Sequence, residues 1–437
     1  MLLGASMLVY SAYVLLAVFW LSRYLSSRWT EALHATRTMS RGRVEAGKLE
    51  AGKHEAGEIE VGERVQIQLR LDNRDTWSIL WVLVDDVLPP QALVGPPPAL
   101  KVDGGRIRIC SVPAKSSRVL SYAVTALRRG YYQIGPTIAE TGDLLGLHRR
   151  FRALDTTDYL LVLPKLIPLA GYDIASRRPI GEVNVTYRLL EDPTMIAGIR
   201  QYQNGDPLRS VHWRATARTG QLQCKQYQPT SVAGATLVLD LHERSNPDRH
   251  EPIRSDLAVT AAASICHTLM LMQQQFGLLS NGRDAADRVT TENRQREYET
   301  LERAQRSVVM RGKSDRLRPV VIPTARGPAH FQHVRKTLAR LERTDGMLLE
   351  ELLIESQSRL SRDASVMVIL QEVDESAALA LGMLRRQGYA VSAIVNNYEN
   401  EAFTTASARL MTQHIAVYHL LSEDSIPEIC KALVLKF

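Results

Sequence analysis

The densest run of chemically capable side chains lies between Arg200 and Gly220. There Arg200, Tyr202, Gly205, Asp206, Arg209, His212, Trp213, Arg214, Ala217, Arg218 and Gly220 fall within one loop–helix–turn pattern. Asp206 suits a helix N-cap and Pro207 the first helical position, where a missing N–H is no loss. Leu208, Val211 and Ala215 recur at helical spacing, and Gly220 supplies the residue past the end. Arg218 then stands near the negative end of the helix. Two uses of the segment are open. Arg209, His212, Arg214 and Arg218 can form a basic surface that grips a partner's carboxylates or phosphates. Alternatively, Val211 and Trp213 pack between neighbouring domains while the arginines pair with acidic surface.

Other clusters carry weaker signals. His242, Asp248 and His250 could be imagined as zinc ligands, but their irregular spacing around a Ser-Asn-Pro turn reads as a solvated loop. The adjacent acids Asp85 and Asp86 could hold a cation, yet such pairs in turns more often accept backbone N–H groups. Gly312-Lys313-Ser314 lacks the earlier glycine of a phosphate loop, since that position is Ser307. No Gly-x-Ser-x-Gly elbow, His-Glu-x-x-His helix or cysteine-nucleophile signature occurs. Cys110, Cys224, Cys266 and Cys430 are scattered without a Cys-x-x-Cys pair and read as free thiols in a reducing compartment, although an even count leaves pairing open. The sequence thus predicts no catalytic residue, no metal site and no cofactor.

The elements that must position the Arg200–Gly220 run divide the chain into five parts. Residues 1–22 carry no charged side chain, and a helix of that length spans roughly 33 Å, enough for a bilayer core. Trp20, Tyr24 and Trp29 suit an interfacial aromatic belt. A cleaved signal peptide is the rival; the absent basic n-region and the lack of a small-residue cleavage site before Arg23 speak against it. Arg23, Arg28, Arg37, Arg41 and Arg43 follow, so the positive-inside rule predicts a single-pass inner (plasma) membrane protein with cytoplasmic soluble domains. Part of the formal charge of +7 lies in these arginines, and no stacking-aromatic box or long basic tract points to nucleic acid.

Residues 23–60 read as a basic juxtamembrane segment and a linker. The linker repeats with a period of five, in Glu45-Ala-Gly, Glu50-Ala-Gly, Glu55-Ala-Gly and Glu60-Val-Gly. That period fits neither helix nor strand, and a duplicated turn is the simplest account. Residues 61–164 show short alternating runs, clearest in Arg64–Leu71, at the spacing of a β-sandwich. Residues 165–235 connect onward and contain the Arg200–Gly220 run. From 236 to 437, strands at Gly234–His242, Phe276–Ser280, Ser365–Leu370 and Ala390–Val395 alternate with helices at Asp256–Gln275, Gln332–Leu341 and Glu375–Gln387. That alternation predicts a doubly wound α/β domain with a parallel sheet.

The run Tyr202, Gly205-Asp206, Arg209, His212-Trp213, Ala215-Thr216-Ala217-Arg218 closely resembles the signature of the bacterial family called domain of unknown function 58. The Asp85–Pro90 and Thr141–Leu147 turns are similar to turns of the same family. The resemblance implies an Ig-like β-sandwich followed by a von Willebrand factor A-type domain. In metal-binding domains of that type the first strand ends in Asp-x-Ser-x-Ser. Here the stretch reads Asp240-Leu-His242-Glu-Arg244, which puts an imidazole and a guanidinium where hydroxyl ligands belong and leaves the site degenerate. The family also implies a partner, a MoxR-type AAA+ ATPase, in chaperone-like assembly or cell-envelope processes. The expectation is therefore a membrane-anchored, non-enzymatic scaffold, with a metal-dependent adhesion module as the alternative; the oligomeric state is not legible.

Overall fold

The structure is a computed structural model that describes residues 2–41, 57–143, 148–154, 157–168, 191–203, 210–229, 234–287, 318–360 and 365–436. Most of the pentad repeat and residues 288–317, with Gly312-Lys313-Ser314 among them, lie outside the described residues.

The uncharged N-terminal run forms α1 (Leu2–Ala32), one uninterrupted helix. Its stretch Val9–Ala32 is long and apolar enough to cross a membrane, and Tyr10, Tyr13, Leu15, Phe19 and Trp20 stand exposed on it. The last turns behave differently. Ser22, Ser26, Trp29 and Thr30 are buried against the following domain, and Arg28 pairs with Asp75 at 2.5 Å. The helix runs straight into β1 (Leu33–Arg41). The expected juxtamembrane linker at 23–60 is thus corrected: its first half is the end of a docked helix and a full strand. The strand escaped notice because its inward positions are Leu33, Ala35, Arg37 and Met39, and an arginine breaks the apolar alternation.

The next elements are β2 (Glu58–Glu60), β3 (Arg64–Asn73), β4 (Ile79–Asp86), α2 (Pro90–Val94), β5 (Leu100–Asp103), β6 (Ile107–Val112), β7 (Ser117–Ala126), β8 (Gly130–Ile134), β9 (Thr137–Gly142), β10 (Arg149–Ala153) and β11 (Asp158–Leu163). They form sheets ordered β1-β3-β7-β5 and β10-β9-β4-β6, flanked by β2-β11-β8. In β3 every second residue, from Val65 to Leu71, is buried, as its alternation predicts. Leu69, Leu71 and Leu120 of one sheet meet Ile79, Val82, Val84 and Ala139 of the other, and Trp29 of α1 closes that end. The sandwich therefore starts at Leu33, ahead of residue 61. In the last unit of the pentad repeat Val61 and Gly62 do form a turn, while Ile59, which ends the unit before it, is a buried residue of β2.

A charged cluster sits inside this sandwich. The Arg37 guanidinium is fully buried; it contacts Asp86 at 2.5 and 3.2 Å, Asp158 at 2.9 Å, Thr137 Oγ1 at 2.8 Å and the Ile134 carbonyl at 3.2 Å. The Asp86 carboxylate also accepts from Tyr122 Oη at 2.6 Å. Its neighbour Asp85 pairs with Arg106 at 2.6 Å. The adjacent acids thus end strand β4 and carry arginine side chains on their carboxylates, where a turn was expected.

Beyond the connecting hairpin β12 (Glu191–Gln201), α3 (Trp213–Thr219) and β13 (Gln223–Pro229) comes the α/β half. It contains β14 (Gly234–Leu239), α4 (Ile253–Leu271), β15 (Gln275–Ser280), β16 (Arg283–Asp284), β17 (Val320–Ala325), α5 (Pro328–Arg340), β18 (Leu341–Glu342), α6 (Leu349–Ser356), β19 (Ser365–Leu370), α7 (Glu375–Arg386), β20 (Val391–Val395), α8 (Asn400–Thr412), β21 (Ala416–His419) and α9 (Ser425–Lys436). The six-stranded order is β17-β15-β14-β19-β20-β21. All pairings are parallel except that of β17, which runs antiparallel to β15 at the edge. The sheet is mixed where a purely parallel one was expected. Along β14, Leu237 and Leu239 join the core under α4, α5 and α9, while Val238 joins the core under α6, α7 and α8. Burial on both faces is why that strand reads as a continuous apolar run.

Arginines of the β7–β8 turn tie the two halves. Arg128 and Arg129 converge on Asp256 at 2.6 and 3.0 Å, and Arg129 also donates to the Leu341 carbonyl at 2.7 Å. Beside them lies a cavity of about 260 Å³ lined by residues that include Tyr131, Glu251, Ser255 and Arg343. Burial pushes the Glu251 carboxyl above the ordinary range, partly offset by Ser255 and the Arg343 charge.

Two outcomes follow. Arg37→Ala strands Asp86 in the sandwich and should lower its stability by about 3–5 kcal/mol in urea unfolding of the detergent-solubilised full chain; an unchanged midpoint would show that the cluster is dispensable. For Glu251, both folded and unfolded chains are protonated well below its ordinary value of 4.5. As pH rises through that value the unfolded chain ionises first, so the folded state loses stability until its own higher pKa is passed. Glu251→Gln should therefore melt with the wild type at low pH and above it at neutral pH; a gap that does not widen with pH would refute this.

Candidate functional site

The Arg200–Gly220 run folds as the hairpin of β12 and β13 with α3 lying between its strands in sequence. Val211 is buried and bridges Cys224, which draws residues 210–212 into the hairpin. The helix consequently begins only at Trp213. His212 is its cap: its Nδ1 accepts the Ala215 N–H at 3.0 Å, and its own N–H donates to the Gln223 carbonyl at 2.7 Å. The expected start at Asp206 and Pro207 lies outside the described residues, and the helix that Gly220 ends is capped by His212. Gly205, Asp206 and Arg209 themselves lie outside the described residues. Gly220 ends the helix in the left-handed region, at φ +69°, and donates to the Thr216 carbonyl.

No residue of α3 is buried. Trp213 is 67% exposed, so it does not pack between domains as one reading proposed. Arg214, Ala217 and Arg218 are exposed with it, while Tyr202 is half-buried and its N–H donates to the Leu222 carbonyl. Arg200 is the penultimate residue of β12, its Nη1 donating to the Gln201 carbonyl at 3.3 Å. Ile199 and Leu222, both exposed, add apolar surface to the same hairpin module. Among the described residues, the module is thus an exposed surface made of an indole, two guanidinium groups and aliphatic side chains.

A second place of interest forms where the strands of the six-stranded sheet end. β14 connects to one side and β19 to the other, and a crevice opens outside their carboxyl ends, as expected at such a switch point. It measures about 310 Å³, and its lining includes Asp240, His242, Arg244, Ser245, Gln371, Asp374 and Asn397. Asp240 follows β14 and is 2% exposed. Both of its oxygens are engaged: Oδ1 accepts from Asn281 Nδ2 at 2.7 Å and from the His242 N–H at 3.1 Å, and Oδ2 accepts from Ser245 Oγ at 2.6 Å. Burial raises the Asp240 pKa, and these donors oppose the rise. The carboxylate therefore works as a clasp that closes the 240–245 turn.

His242 Nδ1 accepts the Arg244 N–H at 3.0 Å, and Arg244 reaches Asp374 at 3.5 Å. His250 is buried and pairs with Tyr398 Oη at 2.6 Å, whereas the exposed Asp248 pairs with Arg343 at 2.7 Å. The three imagined zinc ligands are thus held apart by separate partners, and the loop is only partly solvated. All four cysteines are free thiols, with burial pushing Cys430 up to about 12. Gln371 and Asn397 were missed by sequence reasoning. Their positions one and two residues beyond β19 and β20 could have marked them, since strand ends at a switch point line the crevice.

Residues 198–305 match the family described as "Protein of unknown function DUF58". The chain is 25% identical over 224 residues to "Uncharacterized protein YeaD" of Bacillus subtilis (strain 168), a match covering 51% of this chain and 53% of that protein. The chain thus spans about half the length of the curated relative it matches. Among solved structures, pilus adhesin SpaC from Lactobacillus rhamnosus GG aligns at 8% identity over 48% of this chain and 31% of the other, with a TM-score of 0.32. Proximal thread matrix protein 1 from the mussel byssus aligns at 12% identity over 46% and 44%, with a TM-score of 0.28.

Proposed function

We propose that this protein is a membrane-anchored scaffold without catalysis of its own, which holds a partner protein through the α3 surface. The observation that carries the reading is the exposure of Trp213 beside Arg214 and Arg218 on a helix that buries none of its residues. Tryptophan and arginine are the side chains that most often dominate protein interfaces. Left in water, an indole on a helix adds nothing to the fold. The matched family spans this module, and its resemblance supplies the partner, a MoxR-type AAA+ ATPase.

In this reading the exposed part of α1 is the anchor. The stretch from Leu2 to Leu21 ahead of the docked turns spans roughly 30 Å, and the arginines after it set the soluble domains on the cytoplasmic side of the inner membrane. The α/β half is read as a von Willebrand factor A-like domain whose metal position has been converted to a polar clasp. Asn281, Ser245 and the His242 N–H occupy the oxygens of Asp240, which supports this over a metal-dependent adhesion module.

The full chain in lipid nanodiscs should bind the purified MoxR-type ATPase of the same genome saturably in biolayer interferometry. Trp213→Ala with Arg214→Glu and Arg218→Glu should weaken it about tenfold or more at unchanged melting temperature, because these residues are exposed. Equal binding by the variant would sink the α3 assignment. Titration calorimetry with Mg²⁺ or Mn²⁺ should give no saturable heat; a saturable signal lost on Asp240→Ala would promote the adhesion module instead.

A further inference from the structure

Two buried carboxamides line the crevice without using their hydrogen-bonding capacity. Gln371, 1% exposed, directly follows β19, and neither its Nε2 nor its Oε1 has a partner among the described residues. Asn397, also 1% exposed, stands two residues beyond β20; its Oδ1 accepts the Glu399 N–H at 2.9 Å, while its Nδ2 has no partner. An amide removed from water without a partner destabilises the fold that holds it.

Neighbouring amides at the same sheet edge show that the fold can satisfy such groups. Asn396 donates to the Arg254 carbonyl at 2.7 Å and accepts from Arg254 Nη1 at 3.2 Å. Asn281 donates to Asp240 and to the Met347 carbonyl at 3.0 Å. Gln371 and Asn397 alone of these four are left with idle atoms, and they are the two that line the crevice.

The idle inventory is two N–H donor groups and one carbonyl acceptor. Its complement is a group that offers an acceptor and a donor together, which is a neutral amide. A charged ligand fits less well, because the charges of the lining are already engaged. Arg244 lies against Asp374, Glu350 accepts from Ser376, Arg409 donates to the Val373 carbonyl, and Asp374 accepts the Ala377 N–H as the cap of α7. Glu372 faces Arg249 at 3.5 Å, and beside His242, Ser245 and Thr405 the rest of the lining is aliphatic, including Leu349, Val373, Ala402 and Ala406.

We infer that the crevice at the carboxyl ends of β14, β19 and β20 binds an amide group of a partner polypeptide, with Gln371 pairing to it in bidentate fashion and Asn397 donating a further hydrogen bond. This deepens the scaffold reading and rests on it: the α3 surface holds the partner, and the crevice reads one amide of it. The amide can belong to a glutamine or asparagine side chain or to the main chain, and the hydrogen bonds are the same in both cases.

The test uses the full chain in nanodiscs and the variant Gln371→Met, which keeps the volume and removes the amide. With no structural partner to lose, the variant should melt roughly 2–4 °C above the wild type. Blocked peptides acetyl-Ala-Ala-Gln-Ala-Ala-amide and acetyl-penta-alanine-amide are then titrated while the Ala377, Ala402 and Ala406 methyl resonances are followed. The glutamine peptide should shift these signals saturably in the wild type and at least tenfold more weakly in the variant. Shifts from the glutamine peptide alone assign a side-chain amide, and equal shifts from both assign the main chain. A lower melting temperature in Gln371→Met would overturn the inference, because the amide would then be holding the fold. Equal peptide shifts in wild type and variant, or none from either peptide, would overturn it as well. ATPase binding that depends on α3 alongside such peptide failure leaves the scaffold standing without the amide site; Gln371-dependent peptide shifts without ATPase binding leave the amide site without that partner.

Discussion

The buried Arg37 guanidinium is the constraint on which the N-terminal half depends. It reaches from β1 to Asp86 of β4, Asp158 of β11, Ile134 of β8 and Thr137 of β9, so one side chain touches all three sheets of the sandwich. A buried arginine is tolerable only if its donors are met, and here a bidentate carboxylate meets the fork. Burial, reinforced by the Asp86 charge, pushes the Tyr122 hydroxyl far above its ordinary range, which keeps it a donor to that carboxylate. Gly135 belongs to the same arrangement. It adopts φ +87°, and a Cβ there would collide with the guanidinium. Because β1 continues α1 without a break, the cluster also fixes the direction in which the N-terminal helix leaves the sandwich.

That one arginine explains the largest misreading of the sequence. Alternation reveals a strand when the inward residues are apolar, as in β3, where Val65, Ile67, Leu69 and Leu71 are all buried. In β1 the inward set includes Arg37, and the flanking arginines suggest a basic membrane collar. Charge carried inward toward a partner distant in sequence has no local signature. The same limit hid the roles of Asp85 and Asp86, whose arginine partners lie 21 and 49 residues away. The α/β half was more legible. Strands β14, β15, β19 and β20 are buried on both faces, so apolar runs bounded by turns located them within a few residues. Even there, β17 is antiparallel and carries a proline, Pro323, which suits an edge strand and weakens any strand signal.

The two candidate surfaces were legible to different degrees, for a physical reason. The α3 segment has unusual composition and so stands out in the sequence, but its geometry turned on Val211. That residue fits a helical apolar spacing equally well as it fits a bridge to Cys224, and the hairpin claims it. His212 then caps α3. The crevice residues Gln371 and Asn397 are marked in the sequence only by their places just beyond β19 and β20. Their significance is a matter of what fails to surround them, and only the folded arrangement of β14, β19 and β20 brings them to one opening.

A connected set of contacts joins these parts. The buried end of α1 holds the sandwich, since Arg152 donates to the Thr30 and Glu31 carbonyls at the terminus of the helix. The sandwich in turn holds α4 through Arg128, Arg129 and Asp256. From α4, Arg254 reaches Asn396 and the carbonyls of Leu420 and Leu421, one residue from Asn397 in the crevice lining. Each link is a charge-assisted contact between rigid elements, with side chains mostly shielded from water, where such pairs hold geometry best. In the proposed membrane setting, this fixes the height and orientation of the crevice above the bilayer. A scaffold that presents one amide-reading site to a bound partner needs that rigidity more than it needs a reactive residue, because selection among partners rests on whether the partner's group arrives in register.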